Sequence, residues 1–482
     1  MYSIRKLNIE GGLLIMSGLI LLFLIAKEAF VIPLTHDELS TIDYSQKSLF
    51  DIITYADPVP NNHILNTLLL KLNIAIFGEL LFTDRIHNVL SFILFYFFSV
   101  KSAFLLFKDN WLRFCFVALL SLQPYLLDFF SVTRGYGLSV AFQMVSIFYF
   151  YRRLREGNEK DLWYSVIFGA IGVYANFTLL NYYMPLVFLL GIHTVVINYK
   201  SDKKKTIRPF MILGGVSIIL GLLCYLPFSK MLETKQFVYW GTSGFFSDTV
   251  KPLIISLRAG TEYFGWTNDT IYGLVLGFII VICGAGILLI KRIGNKTFLT
   301  YSFLLLISTI LYNHVQFWLA GVPFLNARTA LFLIPLVSIV VCYGLEVITC
   351  TNRMFGLLLT VFVISLSCQH FVRGFNGLAT YEWYNDADTY VVLKDIEKDI
   401  ENQNLHTPVK VDCHWVFHPS MTYHIKHLYS DKIELMPYHK TVKPDTDAMF
   451  YYTGSEDIDS LSPRFGILQE YSWRTKFLMK TK

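Results

Sequence analysis

Charge is scarce in this 482-residue chain: Asp, Glu, Lys and Arg together make up 16% of it, against about a quarter in ordinary soluble domains. That excludes a solvated globular surface over most of its length. The seven cysteines build no framework either. Six of them (Cys115, Cys224, Cys283, Cys342, Cys350, Cys368) fall in or beside apolar stretches, and only Cys413 lies in a polar region, so neither a disulfide scaffold nor a zinc spacing follows. No nucleic-acid footprint is visible, and a net charge of +5 says little about partners. Arg5 and Lys6 precede an apolar stretch of about 20 residues with no small-residue cleavage site, so the stretch is read as a retained first helix.

Apolar residues fill the space that charge leaves. The chain is 54% hydrophobic with mean hydropathy +0.47, and it carries 41 Phe and 29 Tyr, as expected of helices in lipid with aromatic belts at both interfaces. This is the composition of an α-helical polytopic membrane protein. Apolar runs lie at 11–33, 86–107, 113–131, 136–152, 162–180, 183–198, 210–228, 269–290, 298–319, 328–349 and 355–371, which predicts about 11 spans. The stretch "NNHILNTLLLKLNIAIFGE" (61–79) decides the topology, because each added span inverts everything after it. Leaving it out puts the N-terminus, "FKDNWLR", "YRRLREGNEK", "NYKSDKKKTIR", "KRIGNK" and "TCTNR" all on the cytoplasmic side, as the positive-inside rule requires. Its polar residues gather on one side, with Asn62, Asn66 and Asn73 along one edge, so it is read as an amphipathic helix lying at the interface.

That topology groups the charges. The first external loop, 34–84, holds Asp37, Glu38, Asp43, Asp51, Asp57, His63, Glu79 and Asp84, and Arg85 and His87 follow at the mouth of the second span. "SVTRGYG" (131–137), a large aromatic-rich loop at 229–268 and "AGVPFLNARTALFLIPL" (320–336) face the same side. The loop at 229–268 carries Phe237, Tyr239, Trp240, Phe245, Phe246, Phe264 and Trp266 and an apolar piece at 250–257, suited to grazing the bilayer or contacting substrate. Asp43, Asp51 and Asp57 taken singly are loop solvation. Asp37 and Glu38 differ, because Arg134 and Arg328 converge on their side at the entrances of later spans. External carboxylates facing external arginines describe a site for a base and an anion.

Beyond residue 371 the composition turns polar. Residues 372–482 are read as an external soluble α/β domain, with strands at "VKVDCHWVF", "KIELMPY" and "DAMFYYTG" and a helix at "PSMTYHIKHLY". Six histidines lie there: His406, His414, His418, His424, His427 and His439. His424 and His427 share a helix face, but no cysteine or carboxylate completes a ligand spacing, so these histidines are taken as solvated or satisfied and no metal is assigned.

The order of motifs resembles a known superfamily. An Asp-Glu pair follows the first span, and "NNHILNTLLL" stands in the place of a His-Pro-Pro-Leu stretch. "FGELLFTDRIHNVLS" stands in the place of a Phe-Gly, spacer, Arg pattern; a proline-containing third span and a late "RTALFLIPL" complete the series. Residues 11–370 in this respect resemble the GT-C membrane glycosyltransferases, in particular the branch of protein O-mannosyltransferases and aminoarabinose transferases. The resemblance implies a GT-C-like catalytic module over residues 1–371 and transfer of a hexosyl or pentosyl group from a polyprenyl-phosphate donor to a glycan, lipid or protein acceptor on the external, periplasmic face of the inner membrane. By the same resemblance Asp37 is the general base, and Glu38 orients it or the acceptor. Arg134, Arg328 and Arg85 hold the donor phosphate, and His63, Tyr136 and Asn326 line the cavity. Some members bind a divalent metal through a second acidic motif. Here "SVTRGYG" has no acid and Asp128 lies a turn deeper, so either Asp128 serves or the reaction needs no metal, and the second is preferred. Asn176 and Asn181 stand where many members carry a histidine. The other classes considered are a lipid-linked glycan polymerase or ligase, which is not expected to place Asp-Glu after its first span, and a transporter, which should show internal repeats.

Overall fold

Each of the eleven apolar runs folds as a helix or as a bent pair of helices. The computed structural model describes residues 9–198, 203–236, 241–292, 296–471 and 475–482; Arg5, Lys6, Phe237, Tyr239 and Trp240 lie outside these. Helix α1 (Ile9–Val31) is followed by the short helices α2 (His36–Gln46) and α3 (Leu49–Ile53), and then by α4 (Ile64–Phe77). Next come α5 (Ile86–Leu106), the pair α6 (Asn110–Ser121) and α7 (Pro124–Ser131), α8 (Gly135–Glu156), α9 (Glu159–Ala175), α10 (Leu180–Asn198) and α11 (Lys203–Glu233). After the short α12 (Lys251–Leu257) the chain continues through α13 (Asn268–Leu288), α14 (Lys296–Ala320), α15 (Leu333–Thr351) and α16 (Arg353–Gly374). Among the described residues eight helices are long and apolar enough to cross a membrane, or nine if the pair α6 and α7, bent by 58°, counts as one span. Pro124 opens α7 and disfavours helical backbone at Gln123 before it, which accounts for the bend. Helices α8 and α9 complete the eleven: α9 has 17 residues, and α8 ends in the charged "YRRLRE".

Helix α4 is 14 residues long, about 21 Å at 1.5 Å per residue, too short for a bilayer core. Its polar edge faces inward. The Asn66 carboxamide donates to Thr133 O (3.1 Å) and accepts from Asn88 (2.9 Å), and Asn73 lies 2.9 Å from His87 Nδ1. Leu72, Ile76 and Phe77 are exposed on the other side. The loop piece at 250–257 folds as α12 and packs inward through Leu253 and Ile254, while Phe246, Phe264 and Trp266 stay exposed.

The C-terminal domain is built on a five-stranded sheet in the order β2-β1-β3-β5-β4, with β1 (Val409–Cys413), β2 (Ile433–Leu435), β3 (Phe450–Gly454), β4 (Phe465–Tyr471) and β5 (Lys476–Thr481). Strand β1 pairs in parallel with both β2 and β3, and β5 is antiparallel to β3 and β4. Helices α17 (Thr389–Gln403) and α18 (His418–His424) cover it, burying Val392, Ile396, Met421 and Ile425 against Val411, Phe450 and Leu478. The domain is fastened to the chain just after α1. His424 Nε2 accepts from Leu34 N (3.2 Å), Ser420 Oγ donates to Leu34 O (2.9 Å), and Asp386 Oδ2 accepts from His36 N (2.9 Å).

Candidate active site

Helix α2 begins with a capping box. The Thr35 hydroxyl accepts from Glu38 N, and the Glu38 carboxylate accepts from Thr35 N (3.0 Å), which satisfies two backbone donors at the helix start. Successive helical residues point about 100° apart, so Asp37 and Glu38 cannot share an environment. Asp37 faces a cavity of about 540 Å³, lined also by Asn61, His63, Tyr136, Asn176, Asn326, Arg328 and Glu382. Glu38 turns the other way and is fully buried.

Glu38 there meets Arg85. Arg85 Nε lies 2.8 Å from Glu38 Oε1 and Nη2 lies 2.6 Å from Oε2, and neither side chain is exposed. The remaining Arg85 donors reach the carbonyls of Ala29, Ile32 and Pro33, and Glu38 Oε1 also accepts from Thr133 N (2.7 Å). This is a bidentate, satisfied pair. It corrects two sequence expectations: Arg85 neither lines the cavity nor has a donor left for phosphate, and Glu38 cannot touch a substrate. The pair instead clamps the end of α1, the start of α2 and the turn before α8 to one another.

Arg134 corrects a third. It is buried, with Nη1 donating to Asp37 O (3.1 Å), Thr41 Oγ1 (2.8 Å) and Asn61 O (3.1 Å), and Nη2 donating to the Asn61 side chain and to His63 Nε2 (3.1 Å). Its charge sits under the site, 3.9 Å from Asp37 Oδ2; both Nη groups are taken by protein, and Nε is buried with no hydrogen-bond partner among the described residues. A guanidinium only donates, so His63 Nε2 accepts and the His63 proton is on Nδ1. Burial, with Arg134 and Arg328 adding to it, pushes His63 well below the usual imidazole range, so this ring is neutral. Gly135 permits the packing: a Cβ there would lie 2.8 Å from His63 Cβ and closer still to the carbonyl of Ala175.

Arg328 is the arginine that lines the cavity. It is 3.2 Å from Asp37 Oδ2 and 3.1 Å from Glu382 Oε1, and its guanidinium lies 5.2 Å from the Trp383 ring centroid and 6.0 Å from that of Tyr136. A turn of 3-10 helix at Ala327–Ala330 presents it, closed by reciprocal Asn326 and Thr329 bonds. Ala327 takes φ +44° there, a left-handed conformation costing a non-glycine residue about 1 kcal/mol. Burial alone would raise the Asp37 carboxyl, but Arg134 and Arg328, helped by the Trp383 indole, outweigh it and hold Asp37 below its ordinary value. It is an ionised carboxylate.

Glu382 and Trp383 were not singled out by the sequence. Glu382 lies in the segment leading into the C-terminal domain and accepts from the Tyr125 hydroxyl (2.6 Å). Nothing in "TYEWYND" separates it from the other acids of the tail. Asn176 lines the cavity; Asn181 donates to Thr178 O (3.0 Å). Asp128 faces a second, smaller cavity, where its Oδ2 accepts from Tyr381 N (2.8 Å). Both carboxylates of the main cavity, Asp37 and Glu382, face Arg328, so the set does not fit a divalent cation; with the donor that Arg328 presents, it fits an anion.

No family model matches the chain, and no curated protein matches it. Among solved structures it is similar to the crystal structure of ArnT from Cupriavidus metallidurans in the apo state, with TM-score 0.48 and 8% identity over 97% of both chains. It is similar also to the structure of ArnT from Cupriavidus metallidurans bound to undecaprenyl phosphate, with TM-score 0.48 and 9% identity over 97% of both.

Proposed function

We propose that this chain is a multi-pass membrane glycosyltransferase that moves a sugar from a polyprenyl-phosphate donor to an acceptor hydroxyl on the external face, with its N-terminus cytoplasmic. The observation that carries the reading is the pairing of an ionised Asp37 with Arg328 in a polar cavity just outside the apolar spans. Cytoplasmic nucleotide sugars do not reach that side, so an activated sugar must cross on a lipid. The motif order described above agrees with the same class.

The acceptor oxygen attacks the anomeric carbon, and the bond from that carbon to the phosphate oxygen breaks. The lipid phosphate leaves with the electron pair, and the acceptor proton passes to Asp37. Direct displacement inverts the anomeric centre. Arg328 stabilises the leaving phosphate through charge-assisted hydrogen bonds, while buried Arg134 holds the α2 terminus and adds positive potential. In the resting protein Asp37 occupies a guanidinium that the phosphate needs. Donor binding therefore takes Arg328 from Asp37, and with one cation less the carboxylate becomes a better base toward the acceptor.

Purified protein incubated with a panel of radiolabelled polyprenyl-phosphate sugars and candidate acceptors tests the reading. Transfer by the wild type with a loss of about 100-fold or more in Asp37→Asn is expected of a lost general base. Undiminished transfer in the variant removes Asp37 from the mechanism.

A further inference from the structure

We propose that His414, Glu456 and Asp457 form a Zn²⁺ site in the C-terminal domain, remote in sequence from every residue of the proposed transfer site. Their candidate ligand atoms lie within 4.8 Å of one another. The sequence hides this grouping, because His414 follows β1 directly whereas the two acids follow β3.

The fold explains why the three meet. Strand β1 leads through α18 to β2 on one side, and the chain then crosses to β3 on the other side of β1. The strand order thus reverses between the carboxyl ends of β1 and β3, the place where open parallel sheets leave a crevice for ligands. His414 N donates to Tyr452 O (2.9 Å), which holds His414 against β3. Glu456 and Asp457 lie in the turn Ser455–Asp457 that follows β3.

Three further observations point to a bound cation. The Thr453 hydroxyl donates to Asp457 Oδ2 (2.7 Å) and leaves Oδ1 available, the kind of outer contact that orients a metal-binding carboxylate. Gly454 has φ −84°, a backbone any residue adopts, yet a Cβ there would come within 2.6 Å of Glu456 Oε1 and closer still to Oε2. The missing Cβ leaves room for the Glu456 carboxylate to fold back over the turn toward His414. Among the described residues no lysine or arginine forms an ion pair with Glu456 or Asp457, so two carboxylates face one imidazole without a cation from the chain.

The neighbouring histidines are differently employed. His418 meets Met436 O, His424 accepts from Leu34 N, His427 meets Tyr423 O, and His439 meets both Asp412 and Thr441 O. The His414 ring packs against Trp415 and Phe417, and its one hydrogen bond among the described residues is a long one, from Val416 N to Nδ1 at 3.4 Å. One imidazole with two carboxylates suits Zn²⁺ better than Ca²⁺ or Mg²⁺, which prefer all-oxygen sets. Glu456 is exposed and the other two are half-buried, so a fourth position is open to water.

The test uses the full chain in detergent, stripped with chelator and titrated with Zn²⁺ by calorimetry. One Zn²⁺ per chain is expected, retained in Asp37→Asn and weakened at least tenfold in His414→Ala and Asp457→Asn. The wild-type melting temperature should rise with Zn²⁺ and those of the two variants should not, because a ligand that binds only the folded state stabilises it. Glu456→Gln, at an exposed position, keeps the test open should Asp457→Asn fail to fold. Absence of stoichiometric binding, or wild-type affinity in His414→Ala, overturns the proposal.

Discussion

Asp37 and Glu38 are chain neighbours with opposite fates, and the difference predicts opposite mutational behaviour. Glu38 is sealed with Arg85; removing one partner of such a pair leaves the other charge buried and uncompensated, at about 3–5 kcal/mol. Glu38→Gln should therefore lower the melting temperature sharply, whereas Asp37→Asn, at a cavity wall and 3.9 Å from the buried Arg134, should lower it less and fail in transfer. Thermal unfolding of both in detergent checks this. The sequence grouped both carboxylates with Arg134 and Arg328. It did not show which were buried, because that is decided by Arg85 and Thr133, which are distant in sequence and meet Glu38 only in the fold. Asp386 adds a pH dependence. Burial raises its carboxyl from 3.8 to about 8, against His36 N–H and Lys476 and with Asp37 and Glu38. A raised folded value means that the folded state holds the proton between those limits. Its contribution to stability is full below about pH 4 and is lost as the pH rises through about 8. Asp386→Asn should gain melting temperature relative to the wild type at pH 8.5 and little at pH 5; parallel curves would count against it.

At the scale of elements, the site depends on how α18 grips the segment between α1 and α2. The Leu34 N–H is buried and its acceptor is His424 Nε2. Burial, with Arg85 and His427 adding to it, lowers that ring to about 3, so it remains a neutral acceptor at working pH. His424→Leu strands the donor, which costs about 1–3 kcal/mol, and loosens the approach to Asp37. The expected result is a several-fold lower kcat at unchanged KM for the lipid donor; a change in KM alone would mean that α18 contacts substrate. The strands β1, β2 and β3 and the helix α18 were legible from alternation and spacing. The grip on Leu34 was not, because its partners are separated by 390 residues and a histidine in a polar tail looks solvated.

At the scale of the whole molecule, the eleven apolar runs marked where the long helices fall, and α4, at 14 residues, is too short to add a span. The tail contributes more than a cap. Its leading segment carries Glu382 and Trp383 to Arg328, a convergence no local pattern announces, since it joins the approach to α15 with the exit from α16. The central claim is that Arg328 receives a lipid phosphate in competition with Asp37. Binding of a polyprenyl phosphate to the purified chain, against the neutral polyprenol as control, measures it. Arg328→Ala should weaken phosphate-dependent binding by about tenfold or more, the value of a charged hydrogen bond, and Asp37→Asn should tighten it by freeing the guanidinium. Wild-type affinity in Arg328→Ala, or weaker binding in Asp37→Asn, would contradict the account.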